Sequence, residues 1–411
     1  MKMSKESIDV LIIGAGPSGC VSAAYLKNNG INVKIVEKSR FPRYVIGESL
    51  LPRCMDHFDK VGLLDCLKAE NFEVKSGARF LRDGAICNFD FSKKHFNDGW
   101  DWTWQVPRDA FDNALAKEVQ KKGVIIDFES TVTNVVFNGS NSETTVVDKE
   151  GNEKRISAKF IIDSSGYGRV LPRILDLDKE STLPKHSSIF TQVKDSKRPE
   201  GGEGTLISFD ILETEVWLWV IPFSNGNTSI GFVGPTEFIN SFKGTPEERI
   251  TEMLKLSTYF GDRFSDLEYL FKPIIIQNFS KSVKQLYGKG YALTGNSSEF
   301  LDPVFSSGVT FATESGLLAA KLITREFNNE DVDWEKEYTD YIAHGVAVFR
   351  TYVDEWYSGN LQELFFHQPE NLEIKKQICS VLAGYVWDDT NPFVTKHKRI
   401  VKSVAHLIKS E

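Results

Sequence analysis

The segment that most narrows what this chain can fold into is IDVLIIGAGPSGCVSAAYLKNNGINVKIVEKS, residues 8–39. A β-branched run ends at Gly14, a small-residue helical stretch follows until Gly30 stops it, and a second apolar run ends at Glu37. This order predicts a strand, a tight turn, a helix and a second strand parallel to the first, at the very N-terminus. Gly14, Gly16 and Gly19 form a GxGxxG turn between the predicted strand and helix. The first glycine permits the sharp turn, the second lets backbone approach a pyrophosphate, and the third lets helix and strand pack closely. Glu37 is placed to accept hydrogen bonds from an adenosine ribose, so the unit predicts a dinucleotide site, with Pro17, Ser18 and Lys38 among its contacts.

The remaining pattern supplies more than one sheet. Residues 110–123 read as a helix, and the alternating segments VIIDFESTVTNVVF and ETTVVDKEGNEKRISAKFIID read as a meander that returns to the parallel sheet. From about 184 to 280, strand patterns (SSIFTQVK, GTLISFDI, EVWLWVIPF, TSIGFVG) are broken by one helical piece, PEERITEMLKLS, which predicts a separate antiparallel sheet. Beyond 331, Trp334, Tyr338, Ile342, Phe349, Val353 and Trp356 recur at helical spacing.

Composition sets limits on function. The 411 residues are 41% hydrophobic and 26% charged, enough apolar side chain for a large core. A net charge of -8 with no long basic run argues against a nucleic-acid or membrane-surface partner. Cys20, Cys54, Cys66, Cys87 and Cys379 are scattered and odd in number, so neither a disulfide framework nor a zinc site is expected, and a cytoplasmic setting is. The N-terminal apolar run is too short for a signal-peptide core or a membrane span. His95, His186 and His367 fall in no metal spacing, and the sequence leaves open whether each is an ordinary surface residue.

Two distant segments, KFIIDSSGYGR (159–169) and GYALTGNSSEFLDP (290–303), resemble the second and third flavin-contact motifs of the FAD-dependent aromatic-hydroxylase-like monooxygenases. The resemblance implies FAD and an α/β fold: a Rossmann-like FAD-binding domain of the glutathione-reductase/p-hydroxybenzoate-hydroxylase type, an antiparallel-sheet substrate domain and a C-terminal helical cap. The corresponding boundaries are 1–75, 106–180 and 281–330 for the FAD domain, 76–105 and 181–280 for the substrate domain, and 331–411 for the helices. It places Asp163, Gly166, Gly295, Asp302 and Pro303 at the cofactor, with Asn296 where an Asp is usual, and Arg43 and Arg108 near the flavin and its phosphates.

FPRYVIGESLLP (41–52), KSGARF (75–80), WLWVIP (217–222) and DPVFSSGV (302–309) together resemble the flavin-dependent halogenases, particularly those acting on phenols or carrier-bound pyrroles. In that family reduced FAD and dioxygen form a C4a-hydroperoxide, a halide attacks it, and the released oxidant reaches a lysine beside the substrate. Carried over by residue, Lys75 is that lysine, and the backbone N–H groups of Ser307 and Gly308 cradle chloride or bromide. Gly47, Glu48 and Ser49, with Gly308 and Val309, line the flavin, and Trp217, Trp219, Ile221 and Pro222 form a wall that lets only a small oxidant pass. WTWQVP (102–107) is a near copy of that hexapeptide and reads as structural. Phe305 stands where enzymes of free tryptophan carry a glutamate, which favours a phenolic or acyl-carrier-bound aromatic substrate in secondary metabolism. The resemblance also implies a partner flavin reductase, since no second NAD(P)H-binding unit is visible; Lys396, Lys398 and Arg399 read as a solvated helix face, with contact to an acidic carrier as the alternative. Three other readings share these motifs: a geranylgeranyl-reductase-like flavoprotein that hydrogenates prenyl double bonds, a direct aromatic hydroxylase, and a flavin-binding protein without turnover. The SSG turn also seats flavin in relatives that do not halogenate.

Overall fold

In the computed structural model, which describes residues 5–367 and 372–410, the N-terminal strand Lys5–Ile13 sits at the centre of a parallel sheet. It pairs with Val33–Val36 on one side and Glu153–Asp163 on the other, and Tyr291–Leu293 continues the sheet beyond Asp163. Val10, Leu11 and Ile12 have no exposed surface, because the helices Pro17–Asn28 and Gly308–Phe327 pack over one face. The register aligns Ile13 with Val36 and Asp163, and Asp163 with Leu293. Four parallel strands therefore end level, and the glycine-bearing turns that follow three of them, after Ile13, Asp163 and Leu293, meet in one crevice at the carboxyl edge. The meander is present as a hairpin, Ser130–Asn138 and Asn141–Asp148, running antiparallel into Glu153–Asp163.

The second sheet has the order Glu268–Tyr269, His186–Lys194, Asn227–Pro235, Val216–Pro222, Ser208–Glu213, Gly77–Arg82, Ala85–Asp90. It is antiparallel except at one junction: Ser208–Glu213 runs parallel to Gly77–Arg82, so the expectation of a wholly antiparallel sheet is corrected there. That junction joins two distant stretches of chain, and a long excursion between them removes the need for a hairpin. Val216–Pro222 is buried at every position because both its faces are covered. Trp217, Trp219 and Ile221 point into the main core, whereas Leu218 and Val220 join Ile230, Phe232, Ile250 and Met253 beneath the helix Pro246–Leu254.

The C-terminal region is helical, as the aromatic spacing predicts: Tyr341–Tyr357, Asn360–Phe366, Leu372–Leu382 and His397–Ser410. A buried polar knot fastens it to the helices Arg53–Lys60 and Gly308–Phe327. Glu314 accepts from Arg53 Nε at 2.9 Å and from the Tyr341 hydroxyl at 3.0 Å, and pairs with His57 Nε2 at 2.8 Å.

Candidate active site

The three turns are stitched by hydroxyl groups rather than by apolar contact. Ser18 Oγ donates to Thr294 Oγ1 at 2.8 Å, and Ser164 Oγ lies 2.8 Å from the same Thr294 oxygen. Each hydroxyl belongs to a different motif, so the crevice has one fixed geometry. Gly14 adopts φ +101°, and a Cβ there would lie 2.5 Å from the Ser164 carbonyl oxygen. A Cβ on Gly19 would overlap the carbonyl of Gly14. At Gly16 it would meet nothing nearer than an Arg43 nitrogen at 3.9 Å, so that glycine leaves open space at the start of a helix with unpaired N–H groups.

That space is the middle of a cavity of about 490 Å³. At one end Glu37 is held by backbone, Oε2 accepting from Ala15 N and Oε1 from Ser39 N, both at 2.8 Å, with Thr131 and Val132 beside it. In the middle Arg43 is anchored on Asp112 at 2.9 Å and over the Phe41 ring at 4.5 Å. Arg108 forms a two-point pair with the same Asp112, at 2.9 and 3.0 Å, and donates to the Ile46 carbonyl at 2.8 Å. Its guanidinium supports Gly47, whose own position packs toward Val309. The far end is walled by Trp217, Trp219, Ile221, Glu48, Ser306 and Gly308.

The indoles are fixed by their N–H groups. Trp219 Nε1 donates to Ser229 Oγ at 3.1 Å, and its ring packs against Gly231, where any Cβ would collide with it. Trp217 Nε1 donates to the Tyr357 hydroxyl at 3.3 Å, which in turn donates to Asp302 at 2.9 Å. Burial raises the Asp302 carboxyl to about 7, against the opposing hydrogen bonds from Val304 N and Tyr357.

Lys75 lies outside this cavity. Its strand, Glu73–Lys75, pairs with Thr103–Gln105, and its side chain is 1% exposed. Nζ donates to Ser49 Oγ and to the Leu50 carbonyl, each at 2.8 Å, and Ser49 is itself a wall residue of the cavity. Burial lowers the amine to about 7, with only Cys54 opposing. The turn before Gly308–Phe327 has Ser306 in the left-handed region at φ +55°, which aims the first N–H groups of a twenty-residue helix at the cavity.

The residues present fit a dinucleotide: open backbone at Gly16, a fixed carboxylate at Glu37, two anchored arginines and a long cleft between them accept adenosine, pyrophosphate and a ring system in that order. Residues 7–255 match the family model of the FAD binding domain. The chain belongs to the FAD-binding-domain family. Its cofactor is FAD. A flavoprotein/dehydrogenase from Cytophaga hutchinsonii is 49% identical, with 98% of this chain and 99% of that one aligned at a TM-score of 0.96. A 1H-pyrrole-2-carbonyl-[peptidyl-carrier protein] brominase of Pseudoalteromonas luteoviolacea is 26% identical over 93% of each chain. A tryptophan 2-halogenase of Chondromyces crocatus is 30% identical over 77% of this chain and 60% of its own. The resemblance to the flavin-dependent halogenases is borne out by these relatives.

Within the FAD-binding chain, several residues sit elsewhere than the motifs suggest. Asp302 is a turn cap, accepting from Val304 N at 3.0 Å, and only Pro303 of that pair reaches the cavity. Asp163 is likewise behind the wall, bonded to the backbone N–H groups of Ser165 and Leu171, so it shapes the turn that carries Gly166. Ser307 stands at the N-cap position without a capping hydrogen bond from its side chain and is 5% exposed, while Ser306, Gly308 and Val309 form the wall. Pro222 offers its carbonyl to Gln105 Nε2 at 2.5 Å, which gives WTWQVP its structural role. Asn296 lines the cavity and Gly295 adopts φ +56°. His186 is buried at 2%, stacked on Tyr357 at 4.1 Å, and is not a surface residue. Asp112, Tyr357 and Ser229 carry no motif of their own; only the i, i+4 spacing of Arg108 and Asp112 could have flagged one of them. Among the described residues, no helix is long and apolar enough to cross a membrane and no cluster of His, Cys, Asp and Glu is placed to hold a metal.

Proposed function

We propose that this protein halogenates an electron-rich aromatic ring, a phenol or a pyrrole carried on an acyl-carrier protein, with reduced FAD delivered by a separate flavin reductase. Bound FAD supplies the oxidising equivalent from dioxygen. The observation that carries the reading is the position of Lys75: its amine lies behind the cavity wall, hydrogen-bonded to the wall residue Ser49, so it stays off the flavin and an oxidant would have to pass Ser49 to meet it.

In this account the amides at Ser307 and Gly308 hold the halide at a positive helix end. Trp217 and Trp219 keep the aromatic substrate off the cofactor and exclude bulk water. Desolvation leaves much of the Lys75 amine neutral near pH 7, free to accept a hydrogen bond from hypohalous acid or to take its halogen and release water. Phe305, packed edge-on against Tyr352 and Trp356 of the C-terminal helices, puts an apolar ring before the halide turn where a glutamate would favour free tryptophan. Residues 76–105, 181–280 and 331–411 then serve as the substrate-side units of the molecule.

The test is turnover in air with a flavin reductase, NADH and bromide, using monochlorodimedone, a simple phenol and a carrier-tethered pyrrole-2-carbonyl group as acceptors. Halogenated product is expected from at least the carrier-tethered or phenolic acceptor. Hydroxylated product with no halide dependence would replace this reading with a direct hydroxylase. The 49% relative, described as a flavoprotein/dehydrogenase, favours a second reading in which the flavin oxidises or reduces its substrate directly; product formation without dioxygen would support it.

A further inference from the structure

Glu48 is the one acid in the far wall of the FAD cavity, among Trp219, Gly308 and Val309 rather than at the Glu37 end. Its residue is 1% exposed, so its carboxyl has almost no water. Oε1 accepts from Gln192 Nε2 at 2.6 Å, a donor supplied by the strand His186–Lys194. Oε2 makes no hydrogen bond of good geometry within the protein; the Tyr44 hydroxyl and Ser229 lie close enough to act on the carboxyl, and the Tyr44 hydroxyl makes no well-formed bond of its own. A buried carboxyl left half-satisfied costs about 1–3 kcal/mol, so its persistence in a ligand cavity points to a partner on the ligand.

The groups facing Glu48 come from three directions. Tyr44 lies in its own loop, Arg108 in the helix Arg108–Lys121, and Gln192 and Ser229 in the second sheet. Arg108 is the one cation among them, and it is already paired with Asp112 at 2.9 Å. The site is thus poor in compensating charge. Burial lifts the Glu48 carboxyl to about 7, above what Ser229, Gln192 and Arg108 can hold down.

We propose that Glu48 is a proton-exchanging group of the flavin cavity, taking up one proton through Oε2 when reduced FAD occupies the site and releasing it when the oxidised cofactor does. The assignment rests on the FAD reading. Two electrons and one proton reach the cofactor from the reductant, and the additional proton comes from solvent to the Glu48 carboxylate. The physical cause is electrostatic: negative charge on a reduced cofactor in a water-poor pocket disfavours a second negative charge beside it.

The experiment is the midpoint potential of protein-bound FAD across roughly pH 6 to 9, in wild type and Glu48→Gln, after fluorescence titration has shown that each holds FAD. Above pH 7 the wild type is expected to take up one proton more per two electrons than Glu48→Gln, so that its potential falls more steeply by about 30 mV for each tenfold change in proton activity. Identical slopes in the two proteins would overturn the proposal. If Glu48→Gln does not retain FAD, Gln192→Leu serves instead: loss of the Oε1 donor should move the wild-type break to higher pH, and an unmoved break would count against Glu48. Absence of FAD from the wild type would sink the cofactor reading and this assignment with it, and the binding step detects that first.

Discussion

A charged lysine is costly where Lys75 sits, and that cost is measurable apart from catalysis. Its folded value near 7 lies below the ordinary lysine value of 10.5, so the penalty is full below pH 7 and fades as pH rises toward the unfolded value. Lys75→Met should therefore be more stable than wild type by roughly 2 kcal/mol at pH 8 after its two hydrogen bonds are forfeited, with the gap closing by pH 10 in thermal melts. At Tyr357 the expectation is opposite in sign. Tyr357→Phe leaves Trp217 Nε1 and Asp302 without their shared partner, at a cost of roughly 1–3 kcal/mol in denaturant unfolding. Individual residues were unevenly legible. Gly14, Gly16 and Glu37 could be read because their roles follow from backbone geometry within one local unit. The Asp302 bond could not be read, because its partner, Tyr357, is 55 residues away and lies on another element.

Among the elements, the glycine turn and the helix it opens give the sharpest contrast. Gly16→Ala puts a methyl into open space where a pyrophosphate would approach, so FAD affinity should fall at least about tenfold, or 1.4 kcal/mol, with the fold intact. Gly19→Ala drives a methyl into the Gly14 carbonyl, so the protein itself should be destabilised, and comparing FAD titration with the melting temperature separates the two. Glu314 joins three helices and, although burial opposes it, His57 and Arg53 hold its carboxyl well below the usual carboxylate range. Stability from that site is present above the unfolded carboxylate value and lost as pH falls below it; Glu314→Gln should cost roughly 3 kcal/mol at pH 7 and flatten the acid limb of the unfolding curve. The alternation of Trp217, Leu218, Trp219 and Val220 announced a strand, yet not that both faces are buried, because the helix covering the far face comes from residues 246–254.

Across the whole molecule, the crevice exists because three strands separated by more than a hundred residues end level, and bound FAD should tie those ends together. FAD at a hundred times its dissociation constant is expected to raise unfolding free energy by about 2.7 kcal/mol, read as a concentration-dependent melting temperature. The N-terminal βαβ unit and the helical tail were readable from periodicity, since each depends on neighbours close in sequence. The parallel junction of Ser208–Glu213 with Gly77–Arg82 was not, because nothing local distinguishes it from a hairpin pairing. The same holds for the separation that matters most, an FAD cavity on one side of Ser49 and the Lys75 amine on the other. The most direct test is to compare wild type with Lys75→Met, both loaded with FAD and supplied with a flavin reductase, dioxygen and bromide, for oxidation of the cofactor and for halogenated product together. The account predicts unchanged FAD binding and cofactor reoxidation in Lys75→Met with loss of halogenated product; halogenated product formed by the variant at the wild-type rate would contradict it.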